Sequence, residues 1–424
     1  MQNYVFLIDT NKQPLNPITP KQARRLLDKG KAAVFRRYPF TLILKSAIEN
    51  PVINYLRLKI DPGSKFTGIG LLDGENVIWG AEIEHRGYQI KQALESRRSL
   101  RSFRRNRKTR YRKARFDNRK RNKGWLAPSL IHRVNTTETW VKRLIHFSPI
   151  QEIWVEQVKF DLHKMQNPEI SGVEYQQGEL QGYEIREYLL EKWGRECSYC
   201  GKKNVPLQIE HIRPKSKGGS NRVSNLCLAC EKCNQKKGNK AVEVFLKKNP
   251  EKLKNIKSKA KQSLKDAIAV NATRNKIVEV LGNILPVKTG TGSQTKYNRT
   301  RLKLDKEHWV DAACVGDVDN LILKTKQPLR IKCNGHGTRQ MCRTDKYGFP
   351  SRYVPRIKSV KGFQTGDIVK AIVTKGKKVG NYLGRIATRS TGSFNISTNE
   401  KLIQGVSYKY CQIVHRKDGY SYSF

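Results

Sequence analysis

The chain has 424 residues, a formal net charge of +48 and a sequence pI of about 10.1. Charge on this scale serves a polyanionic partner, above all nucleic acid. A basic membrane-surface protein would instead show a long amphipathic helix or a lipidation site; neither is found, and no apolar run approaches transmembrane length.

Taken in chain order, residues 1–54 read as a small basic module. YVFLID predicts a strand, NKQPLNP a turn, and the stretch from Thr19 a short helix capped by Thr19, led by Pro20 and stopped by Gly30. AAVFRRYPFTLILK predicts a strand interrupted by proline. From Tyr55 the apolar positions Leu56, Leu58 and Ile60 alternate, and Asp61 closes the strand. FTGIGLLDGENVIWGAEIE predicts two further strands joined at Asp73-Gly74.

Residues 97–121 hold fourteen Lys or Arg and one acid, Asp117, with no Pro or Gly. The basic positions step around the whole helical wheel, so this is no core helix. Arg predominates over Lys, which favours bidentate phosphate contacts, and Arg97, Arg98, Arg101, Arg104, Arg105, Arg107, Arg110, Arg112 and Arg115 are the expected nucleic-acid contacts.

Ser129 to Phe147 predicts a helix with Ile131, Val134, Trp140, Val141, Leu144 and Ile145 on one side. IQEIWVEQVKFD predicts a strand with Ile153 and Val155 inward and Glu156 at its end. Met165 to Tyr183 reads as a linker or weak helix, Lys247 to Lys265 as a lysine-rich connector, Asp266 to Leu281 as a stronger helix, and Asn283 to Lys303 as loop. LDKEHWVDAACVGD predicts a helix with His308 and Asp311 on one face. From about Lys326 short strands and glycine turns predict a small antiparallel, barrel-like module.

Two chemistries stand out. Asp61, Glu156 and Asp311 sit at a strand end, a strand end and a helix face, and carboxylates from distant segments can clamp two hard cations for phosphodiester hydrolysis. Five of nine cysteines fall between Cys197 and Cys233. That clustering suits metal binding in a reducing compartment better than a disulfide framework. CSYC and CEKC place Cys197, Cys200, Cys230 and Cys233 as two hooks suited to a closed tetrahedral zinc, with Cys227 as a buried bystander close enough to compete as a ligand. The N-terminus lacks signal-peptide features, so a cytoplasmic location is expected, nucleoid-associated when on DNA.

DPGSKFTGIGLL, the arginine-rich stretch, IWVEQ and HWVDAA, in that order, resemble a RuvC-type nuclease of the RNase H fold split into three pieces. With LQIEHIRPKSKGGSNRVSNLCLAC and CNQKKGN inserted before the third piece, and PLNP in place of PLMP near the N-terminus, the chain is similar to the IscB family of transposon-encoded RNA-guided nucleases.

The resemblance implies a multidomain α/β fold. Its segments would be an N-terminal module (1–54), a first RuvC piece at 55–90, a bridge helix at 91–123, a second RuvC piece with a linker at 124–192, an HNH domain at 193–245, a connector with the third RuvC piece at 246–325, and at 326–424 a module reading a motif flanking the target. It also implies Asp61, Glu156 and Asp311 as ligands for two Mg²⁺ ions, with His308 as a base or a group near the metals. In the HNH domain it implies Glu210 and Asn234 as ligands for one Mg²⁺, His211 as general base and Asn225 as the brace of the base's loop. The expected partners are a structured guide RNA (ωRNA) and double-stranded DNA, in a monomeric ribonucleoprotein. The HNH site would cut the guide-paired strand and the RuvC site the displaced one. Rival readings are a stand-alone HNH homing-type nuclease and a non-catalytic RNA-binding scaffold.

Overall fold

A computed structural model describes residues 2–105, 124–157, 186, 189–190, 192–203, 205–260, 265–335, 342–347, 349–353 and 357–424. The chain divides into two compact units. One comprises Met1–Val155, Val280–Thr289 and Thr295–Phe424; the other comprises Glu156–Glu279 and Gly290–Gln294.

Thr19 caps the helix Pro20–Asp28 with a full capping box: its hydroxyl accepts from the Gln22 backbone, and the Gln22 side chain accepts from the Thr19 backbone N–H. The helix ends before Gly30, which takes the left-handed φ of +63°. It shares an apolar core with a four-stranded sheet in the order Pro14–Ile18, Val5–Ile8, Thr41–Leu44, Ala32–Arg36. PLNP is therefore strand and not turn. Pro14 and Pro17 are tolerated because their strand lies at the sheet edge.

Among the described residues the central sheet of the first unit has eight strands. Its spatial path runs Val287–Gly290, Ile150–Glu156, Leu56–Pro62, Phe66–Asp73, Asn76–Glu84, Leu329–Cys333 and Tyr420–Ser423, with Ile322–Leu323 pairing beside Asn76–Glu84. Leu56–Pro62, Phe66–Asp73 and Asn76–Glu84 form an antiparallel meander, and Ile150–Glu156 returns parallel to the first of them. Leu56, Leu58, Ile60, Ile153 and Val155 are fully buried, as the alternating pattern requires. The helix Pro128–Phe147 buries Val134, Trp140, Val141 and Leu144; Ile131 and Ile145 are only half-buried.

Several local expectations change. Asn283 to Lys303 is not loop: it holds the strand Val287–Gly290 and the helix Gly292–Arg301. Both lack an apolar stripe because one is a short edge strand and the other is polar throughout. The helix bearing His308 is shorter than its sequence suggested, spanning His308–Ala313. Leu329–Cys333 and Tyr420–Ser423 belong to the central sheet and not to a separate C-terminal module. Five strands of that region do form an antiparallel sheet, ordered Leu402–Ser407, Ser393–Ser397, Gly380–Ala387, Ile368–Val373, Cys411–His415, over a core that includes Val369, Phe394 and Ile396. The basic helix is described as Gly87–Arg105. Arg107, Arg110, Arg112 and Arg115, and the stretch Met165 to Tyr183, lie outside the described residues.

In the second unit, Leu207–His211 pairs antiparallel with Leu226–Cys230, and the helix Glu231–Lys237 follows directly. Its core includes Trp193, Tyr199, Leu228 and Val242. It also draws in Leu189, Ile256 and Ala260, which lie outside the 193–245 span.

Candidate active sites

Asp61 pairs in register with Gly68 on the neighbouring strand. The helix His308–Ala313 lies directly over that sheet. Two glycines permit the approach: a Cβ on Gly68 would fall 1.8 Å from the His308 carbonyl oxygen, and one on Gly80 would fall 2.6 Å from the Trp309 ring. The His308 N–H donates to Glu82 Oε1 at 3.0 Å, which fixes the start of the helix. The imidazole stacks on Phe66, with ring centroids 5.2 Å apart, and its Nδ1 is 3.9 Å from Asp61 Oδ2. Contact with Asp61 holds the His308 pKa above the ordinary imidazole value.

One turn along, Asp311 pairs with Arg299 from the helix Gly292–Arg301. Burial raises the Asp311 pKa against the pull of Arg299, and the charge of Asp61 adds to the rise. Asp61, His308 and Asp311 thus form one cluster in the first unit. Glu156 is the last residue of its strand, just after Val155, which lies opposite Ile60. In the second unit Glu156 is 3.3 Å from Arg274 Nη2. Arg299 and Arg274 were not expected from sequence, where each reads as one more surface cation.

The four sulfurs of Cys197, Cys200, Cys230 and Cys233 lie within 4.8 Å of one another. Tetrahedral zinc with bonds of about 2.3 Å needs sulfur–sulfur edges of about 3.8 Å, and Cys200 and Cys230 are 3.7 Å apart. The donor set therefore fits zinc. Gly201, at φ +76°, donates to the Cys197 carbonyl to close the first hook, and Cys230 caps the helix carrying Cys233. Cys227 is fully buried, and its thiol donates to Tyr199 Oη.

Glu210 and His211 end the strand Leu207–His211. Lys237 Nζ donates to Glu210 Oε1 at 2.5 Å and to the His211 carbonyl at 2.8 Å. The lysine side chain is 0% exposed and that of Glu210 12%. His211 Nε2 is 2.9 Å from Asn221 Oδ1. That oxygen accepts a proton carried on Nε2, which in the neutral ring leaves the lone pair on Nδ1. Asn234 Nδ2 donates to Gln208 Oε1 at 2.6 Å. Asn225 accepts from the Arg213 N–H at 2.8 Å and donates to the Arg213 and Ser220 carbonyls at 3.0 and 2.8 Å, tying both sides of the loop after His211. Lys237 and Asn221 were missed: in CNQKKGN and GGSNRV they read as solvated polar residues, and no local pattern marks them.

Residues 5–178 match the RRXRR protein family, and residues 197–250 match an HNH endonuclease family. The chain is IscB-like, with an HNH endonuclease domain. It is accordingly a multidomain α/β protein with a nuclease module. No curated protein matches the IscB-like chain. Solved structures with some likeness include Streptococcus thermophilus Cas9 in complex with the AGAA PAM, 13% identical, covering 61% of this chain and 32% of that one at a TM-score of 0.23. Another is the type II-C Cas9 enzyme from Actinomyces naeslundii, 18% identical, covering 45% of this chain and 31% of that one at a TM-score of 0.18. The IscB-like chain spans about a third of their length, and TM-scores this low establish no shared overall fold.

Proposed function

We propose that this chain is a guide-RNA-dependent DNA endonuclease with two active sites. The observation that carries the reading is a pair of separate acid–histidine centres, Asp61–His308–Asp311 and Glu210–His211, on a chain of net charge +48. A nuclease reading DNA through one HNH site has no use for the first centre, and a scaffold has no use for either.

In the HNH site His211 acts as general base. Asn221 holds its Nε2–H, which leaves Nδ1 to take a proton from water. Lys237 occupies one Glu210 oxygen, and Gln208 engages the Asn234 amide nitrogen. The other Glu210 oxygen and Asn234 Oδ1 are hard donors that would hold one Mg²⁺, whose chemistry is to polarise the scissile phosphate. Asp61 and Asp311 supply the same donor type for a two-Mg²⁺ site of RuvC kind, to which the family resemblance adds Glu156. There Arg299 pairs with Asp311, and His308, stacked on Phe66, stands beside Asp61.

The basic helix, with Arg97, Arg98, Arg101, Arg104 and Arg105, holds nucleic acid through its backbone, and a structured guide RNA supplies sequence specificity by base pairing. The C-terminal strands read a short motif flanking the double-stranded target. The working particle is a monomeric ribonucleoprotein in the cytoplasm.

Strand-resolved cleavage tests the two-site reading. Asp61→Ala should abolish cutting of the displaced strand only, and His211→Ala cutting of the guide-paired strand only. Loss of both cuts in either variant would contradict it.

A further inference from the structure

We propose a further metal site, for one borderline transition ion such as Zn²⁺, formed by His85, His132 and Cys333. Each offers one ligand atom, and these atoms lie within 4.8 Å of one another. The donors come from three segments of the first unit. His85 follows the strand Asn76–Glu84, His132 sits near the start of the helix Pro128–Phe147, and Cys333 ends the strand Leu329–Cys333.

His85 is 6% exposed and Cys333 5%. The His85 ring is held at Nε2 by Thr67 Oγ1 at 2.8 Å, whereas its buried Nδ1 has no hydrogen-bond partner among the described residues. A buried polar group left unpaired is destabilising, so such a group calls for an explanation. In the ligated form the Thr67 hydroxyl accepts the Nε2 proton and Nδ1 presents its lone pair, the arrangement outer hydrogen bonds give metal-binding histidines.

His132 receives the Arg86 N–H at Nε2 over 3.3 Å and faces Thr136 Oγ1 at Nδ1 over 3.4 Å. Both contacts are long, and the ring gives up one of them on ligation. Two imidazoles and a thiol suit Zn²⁺ and exclude Mg²⁺ as the preferred ion. The Cys333 S–H bond breaks, its proton passes to solvent, and the thiolate sulfur donates its electron pair to the metal. The thiolate charge also offsets the nearby guanidiniums of Arg86 and Arg133. The ion would pin the residues just before the helix Gly87–Arg105 to two other segments, clamping the root of the basic helix.

Elemental analysis of the full chain, purified without chelator, tests the site. The wild type should carry about two zinc equivalents, one of them in the four-cysteine site. Cys333→Ala should keep about one, and so should the Cys200→Ser/Cys230→Ser double variant, which loses the other site. His85→Gln gives the same readout should Cys333→Ala fail to fold. A wild type with about one equivalent that Cys200→Ser/Cys230→Ser loses completely would overturn the proposal, as would a wild-type zinc count in both Cys333→Ala and His85→Gln.

Discussion

Lys237→Met is the most informative single perturbation of the HNH domain. The ammonium is fully buried, 2.5 Å from Glu210 Oε1 and 2.8 Å from the His211 carbonyl. Removing one member of a buried ion pair costs about 3–5 kcal/mol. Two features reduce that figure. The Glu210 side chain is 12% exposed and recovers part of its hydration, and methionine refills most of the space left by the lysine stem. A net loss of about 2–3 kcal/mol remains, which makes local opening about 30- to 150-fold more frequent. Hydrogen exchange on the zinc-loaded full chain reads this directly. Peptides covering 207–211 and 226–237 should exchange faster by that factor, while 368–415 should not change. Unchanged exchange in the HNH peptides would refute the claim that Lys237 clips the helix to the strand Leu207–His211. Glu210 would also lose its orientation, so HNH cutting should fall in the same variant.

Two further substitutions test the other unit. Gly68→Ala puts a methyl group 1.8 Å from the His308 carbonyl, a backbone atom that cannot swing aside. The helix His308–Ala313 must lift, at about 1–3 kcal/mol, and an unchanged thermal midpoint would contradict the packing described. Lys59 is 1% exposed, donates to the Val315 carbonyl at 2.6 Å, and is pushed by burial from 10.5 to about 8. Below pH 8 the folded chain carries the full charging penalty, about 3 kcal/mol; between 8 and 10.5 the unfolded chain binds more protons, so stability rises with pH. Lys59→Met lifts that penalty but strands the Val315 carbonyl, for a net gain of about 1–2 kcal/mol at pH 7 that shrinks toward pH 9.5. A gap between variant and wild type that ignores pH in urea unfolding would sink this argument.

Elements whose determinants are local could be read from the sequence. The Thr19 cap, the alternation through Leu56, Leu58 and Ile60, and the two cysteine hooks all carry their signals within a few residues. What could not be read depends on partners far along the chain. Leu329–Cys333 and Tyr420–Ser423 join the central sheet through pairings that no local pattern encodes. Val287–Gly290 is a short edge strand, and Gly292–Arg301 is a polar helix; neither shows an apolar period. At the sites, acids and histidines at element ends could be picked out. The cations that engage them could not, because in a chain with 84 Lys and Arg one buried Lys237 or Arg299 looks like any other. The His85–His132–Cys333 cluster was hidden for the same reason, its members lying on three separate segments.

The central claim is that nucleic acid, not the protein surface, carries target choice. The direct measurement is to express the chain with its native flanking DNA, purify it, and sequence the RNA that accompanies it. The account predicts one discrete structured RNA with a variable guide end, and cleavage that moves to a new site when that end is rewritten. A purified chain free of RNA that still cuts DNA at a fixed sequence would contradict it, and would make the arginine-rich helix a clamp for DNA alone.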